Sequence, residues 1–147
     1  MRIALAVLAL GACSKAPAHH RPTFDEITKR VGGACEDRGT FRTCKTSTVE
    51  VSVSHDDKDT ATDPRVFSFT LHVRTPTGDA AVTAVEPILD GIVPPEIIDG
   101  IRTRWTGPRA EVFDVNKHVT IDKVQLTAGT AIIGDPPPVY EADIWYW

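Results

Sequence analysis

The groups in this chain with chemical potential are five histidines, three cysteines and twenty carboxylates. A metal centre needs three or four His, Cys or carboxylate ligands at short spacings, and His19, His20, His55, His72 and His118 are scattered without such a set. The adjacent His19 and His20 lack a third ligand and read as a solvated pair. Asp57, Asp59 and Asp63 in "HDDKDTATDP" resemble a calcium loop in spacing. The stretch has neither the glycine of the sharp turn nor the closing glutamate, so it reads as a solvated hairpin loop. No nucleophile elbow, phosphate loop, zincin motif or dinucleotide fingerprint occurs. No metal and no cofactor is expected. His72 beside Arg74 is the least inert pair, and carboxylates that meet in space could still serve acid–base chemistry.

Cys35 and Cys44, in "CEDRGTFRTC", are too far apart for a Cys-x-x-Cys redox pair or a zinc knuckle. Arg38-Gly39 between them can turn the chain so that the thiols meet. A disulfide is expected, with two reduced buried thiols as the alternative. The third cysteine, Cys13, ends an apolar run from Ile3 to Leu10 that follows Arg2. Eight residues span about 12 Å as a helix, far less than the roughly 30 Å hydrocarbon core, so this is no membrane span. The order of charge, apolar run and small residues is that of a secretory signal. Leu10-Gly11-Ala12-Cys13 resembles the lipobox of bacterial lipoproteins.

That resemblance implies cleavage before Cys13, diacylglycerol and palmitate-type acylation at Cys13, and anchorage in the cell envelope. Ser14 after the cysteine implies the periplasmic face of the outer membrane. Residues 1–12 would then be a signal peptide, 13–22 a tether, and 23–147 one globular domain. The membrane becomes a partner through the lipid, and Cys35 and Cys44 face an oxidising compartment. The net charge of −4 and the absence of Lys/Arg runs argue against a nucleic-acid partner.

The positions of the remaining candidates depend on the elements. Thr23 to Glu26 has capping-box spacing, Phe24, Ile27 and Val31 form a stripe, and Gly32-Gly33 stops a helix over Phe24–Val31. Val49, Val51 and Val53 alternate, as do Phe67, Phe69, Leu71 and Val73. These patterns predict an antiparallel strand pair with His72 and Arg74 on its polar face. Val85, Ile88, Leu89 and Ile92, then Ile97, Ile98, Ile101 and Trp105, follow helical spacing on either side of Pro94-Pro95. Strand patterns return at Ala110–Val115, Val119–Ile121 and Val124–Leu126, with a bulge expected at Asp122-Lys123.

The last strand, Val139 onward, alternates Tyr140, Ala142, Ile144 and Tyr146 against Val139, Glu141, Asp143, Trp145 and Trp147. Trp145 and Trp147 either cap the sheet edge or pack under the first helix, or they form part of an exposed patch for a protein or glycan partner. The expected fold is α+β: one antiparallel sheet of four or five strands, covered on one face by the first helix and the central helical pair. The expected function is a non-enzymatic, lipid-anchored binding or envelope-assembly module with an envelope protein partner. An inhibitor or immunity protein against an envelope-targeting toxin or hydrolase is one alternative. A small hydrolase is the other.

Overall fold

The computed structural model describes residues 19–106, 113–131 and 138–147. Cys13, the signal and the first part of the tether lie outside the described residues. The architecture is α+β: three helices and one antiparallel sheet, with seven strands where the sequence suggested four or five.

Helix α1 is Phe24–Val31, as its capping signals require. Thr23 accepts a hydrogen bond from the Glu26 amide, and Gly32 closes the helix with φ 68°. The Glu26 carboxylate takes up His20 and Arg30. The acidic loop anchors the helix start. The Phe24 amide donates to the Pro64 carbonyl, and the Asp25 amide to Asp63 Oδ1. Asp59 accepts the amides of Ala61 and Arg65, which hold its carboxyl below the usual range. These aspartates therefore cap backbone within the loop and at α1. His20 and Pro22, in the stretch read from sequence as the end of a tether, are hydrogen-bonded to the folded domain. The His20 amide donates to the Gly91 carbonyl, and the Val66 amide to the Pro22 carbonyl.

Strands β1 (Ala34–Arg38) and β2 (Phe41–Lys45) form a hairpin whose turn holds Gly39 at φ 63°. Cys35 and Cys44 face each other across it and are disulfide-bonded. Neither strand was expected, because β1 buries none of its residues and shows no apolar alternation. Strands β3 (Val49–Ser54) and β4 (Ser68–Arg74) follow as the alternation predicts. Phe67 departs from that prediction. It precedes β4, Val66 is buried instead, and Phe67 packs T-shaped on Trp145 at 5.6 Å.

Helices α2 (Gly78–Leu89) and α3 (Pro95–Trp105) cross the sheet, with Pro95 in the first turn of α3. Thr77 caps α2 by accepting from the Ala80 amide. Gly91 lies in the link between the helices, at φ 74°. Gly100 lets α3 approach the sheet closely, because a Cβ there would meet the Leu126 side chain at 3.0 Å. None of the described helices is long and apolar enough to cross a membrane.

Strands β5 (His118–Ile121), β6 (Val124–Ala131) and β7 (Val139–Tyr146) complete the sheet in the order β1-β2-β3-β4-β7-β6-β5. The Asp122-Lys123 bulge expected from the phase slip is instead a two-residue hairpin turn between the paired Ile121 and Val124. Both turn residues have positive φ, 47° and 64°, and this geometry matches the twist of the flanking strands. The strand expected over Ala110–Val115 falls largely outside the described residues, although the Phe113 amide donates to the Thr130 carbonyl.

The core lies between the helices and one sheet face. Ile27, Val85, Leu89, Ile97, Ile101 and Trp105 from the helices meet Val51, Leu71, Leu126, Ala142 and Ile144 from the strands. Trp105 satisfies its indole N–H on the Glu141 carbonyl at 3.1 Å. The expectation of helices on one apolar face holds, and it leaves the opposite face without a helix among the described residues.

Candidate binding face

Because strand side chains alternate and paired residues share a face, the register places the uncovered groups in rows across the sheet. Lys45, Glu50, His72 and Glu141 form one row. Thr43, Ser52, Thr70, Asp143 and Thr127 form the next. Phe41, Ser54, Ser68, Trp145 and Gln125 form the third. Within the rows, hydroxyls tie neighbouring strands together. Thr43 meets Ser52 at 3.0 Å, Ser54 meets Ser68 at 2.7 Å, and Thr70 donates to Asp143 Oδ1 at 2.6 Å.

His72 and Arg74 share this face, as the alternation of β4 dictates, and both point away from the core. His72 stands between two carboxylates that sequence reasoning did not assign to it. Its Nδ1 lies 3.9 Å from Glu50 and its Nε2 3.4 Å from Glu141. Lys45 pairs with Glu50 at 3.2 Å. With Arg74 and the β2–β3 turn, these groups line a shallow recess of about 230 Å³. The signal for Glu50 was its position out of phase with Val49 and Val51. Its neighbour across the sheet, by contrast, depends on which strands pair. Among the described residues, no group of three or more His, Cys, Asp or Glu side chains is placed to hold a metal ion.

Trp145 and Trp147 lie elsewhere on the same face. Strand β7 runs between β4 and β6, so these tryptophans stand within the sheet surface and do not cap an edge. They are 38% and 69% exposed. Phe67 buttresses Trp145, and Arg21 stacks over the Phe67 ring at 5.9 Å. The Trp147 amide extends the sheet ladder by donating to the Lys123 carbonyl. Val115, Gln125, Thr127 and Asp143 complete a shallow trough against the two indoles. The sequence had flagged carboxylates beside these tryptophans, but Gln125, Thr127 and Val115 enter the trough only through the β6–β7 register and the turn before β5.

Cys35 and Cys44 are structural. Cys44 is fully buried on the core side of β2 and Cys35 is exposed at the sheet edge. No family model, curated protein or solved structure matches this chain.

Proposed function

We propose that this chain is a lipid-anchored binding module of the bacterial cell envelope that presents the uncovered face of its sheet to a protein partner. One observation carries this reading: the sheet face that bears no helix among the described residues presents Phe41, Trp145 and Trp147, which are 55%, 38% and 69% exposed. Tryptophan is enriched in binding hot spots, where a large, rigid ring is desolvated at little entropic cost. The serine and threonine ladders around the aromatics supply the polar, hydrogen-bonding surface of a reversible interface. The lipobox-like Leu10–Cys13 supports the anchor, and the Cys35–Cys44 disulfide suits an oxidising compartment.

The test is site-specific photo-crosslinking in cells, with the probe at Phe41 or Trp147 and, as control, at Thr83 or Thr103 on the outer surface of the helices. The expected result is a common partner from the sheet positions and none from the helix positions. Cross-links from the helical side alone would overturn the reading. For the anchor, Cys13→Ser is expected to move the protein out of the membrane fraction or leave it unprocessed. Unchanged fractionation and processing would remove that part of the proposal.

A second reading is favoured by His72 between Glu50 and Glu141, an imidazole within ion-pair distance of two carboxylates beside Thr46, Ser47 and Thr48. It makes the chain a small hydrolase. Turnover of a chromogenic ester, glycoside or peptide that disappears in His72→Gln would establish it. Equal rates in both proteins would dismiss it.

A further inference from the structure

We propose that the trough beside Trp145 and Trp147 receives an arginine side chain of the partner protein, an inference that rests on the binding-face reading above. Its carrying observation is charge complementarity. On the uncovered face Glu36 pairs with Arg38, Glu50 with Lys45, and Glu141 with His72. Asp143 differs from all three. Its Oδ1 accepts the Thr70 hydroxyl at 2.6 Å, whereas its Oδ2 has no hydrogen-bond partner and the carboxylate no cation among the described residues. This half-buried charge stands on the floor of the trough, where the lining Val115, Gln125, Thr127, Trp145 and Trp147 bring no positive group.

The walls suit the same ligand. Indole faces attract cations, tryptophan most strongly, and a planar guanidinium combines stacking on a ring with directed bonds to a carboxylate. Asp143 Oδ2 supplies one acceptor and the Gln125 side-chain carbonyl a second. The trough is shaped before a ligand arrives. Thr70 fixes Asp143, Phe67 packs T-shaped on Trp145, and the ladder bond to Lys123 holds Trp147. A pre-set site loses little side-chain entropy on binding. The net charge of −4 draws a basic partner toward the molecule.

The experiment is an NMR titration of the full domain, following the indole N–H signals of Trp145 and Trp147. The ligands are a doubly capped Gly-Arg-Gly peptide, its neutral citrulline counterpart, and chitotetraose. The arginine peptide is expected to shift both signals. The citrulline peptide should bind about tenfold more weakly, as loss of a charge-assisted contact implies. Asp143→Asn keeps an acceptor for Thr70 and should lower arginine-peptide affinity to a similar extent. Trp147→Ala should lower it several-fold with the fold intact. Equal binding of the arginine and citrulline peptides would overturn the proposal, as would full affinity in Asp143→Asn or shifts with the oligosaccharide alone. If Phe41 and Trp147 still cross-link a partner while the arginine peptide fails to bind, the arginine assignment falls and the binding face stands.

Discussion

Tyr146 donates its hydroxyl hydrogen to the backbone carbonyl of Ile92 at 2.7 Å, joining the last strand to the link between α2 and α3. The ring is buried against Phe69, and burial pushes its hydroxyl well above the usual phenol range, so it remains a donor. Tyr146→Phe keeps the ring and removes the donor. It is expected to cost roughly 1–2 kcal/mol, the penalty of leaving a buried carbonyl unpaired. Urea denaturation with an unchanged slope and a lower midpoint is the expected signature. An unchanged midpoint would show that this bond does not hold the link.

A Cβ built on Gly78 would lie 1.8 Å from the Trp105 carbonyl oxygen, closer than real atoms approach. The start of α2 therefore needs glycine to pack against the end of α3. Gly78→Ala must displace backbone and is expected to destabilise by about 1–3 kcal/mol. Gly32→Ala would strain a left-handed residue with open space around it and serves as a comparison. A thermal melt in which Gly78→Ala matched the parent would contradict the close approach.

The Cys35–Cys44 disulfide closes a short loop at the sheet edge, with a sequence separation of 9. Chain entropy predicts a contribution on the order of 2.5–3 kcal/mol. Because β1 buries none of its residues, reduction should free that strand first. Hydrogen exchange is expected to accelerate in Ala34–Arg38 while β4 and β7 stay protected. Uniform acceleration across the sheet would assign the bond a global role.

Partial burial pushes the Glu26 carboxyl up, but the hydrogen bonds and charges of His20 and Arg30 outweigh it and hold it below its ordinary 4.5. Hydrogen bonds from Arg42 hold Asp37 below its ordinary 3.8. Both carboxylates thus favour the folded state when ionised. Their contribution is full above the ordinary values and is lost as pH falls through the lower folded values. Stability is expected to decline below about pH 4.5. Combining Glu26→Gln with Asp37→Asn should lower the neutral-pH midpoint and flatten the acid decline. An acid limb as steep as the parent's would assign it to other groups.

Much of the fold was legible where one element carries its own signal. Thr23, Glu26 and Gly32 mark α1. The alternation of Val49, Val51 and Val53 marks β3, and the spacing of Ile97, Ile101 and Trp105 marks α3. The hairpin of β1 and β2 was not legible, because its stability comes from a disulfide and from pairing with β3, and neither leaves an apolar pattern. The slip at Asp122-Lys123 was visible as a change of phase. Its form depended on two positive φ values that the sequence does not advertise.

The candidate site divides along the same line. Local alternation alone put His72, Arg74, Trp145 and Trp147 on polar strand faces, since side chains of one strand point to opposite sides in turn. Which strands pair is a long-range outcome of packing the helices on the other face. Only the β4–β7 and β6–β7 registers decided that Asp143 lies between Thr70 and Thr127, and that His72 lies beside Glu141. The sequence determined which groups leave the core. The tertiary structure decided which of them meet, because neighbours across a sheet come from residues distant in the chain, brought together by burying the opposite face.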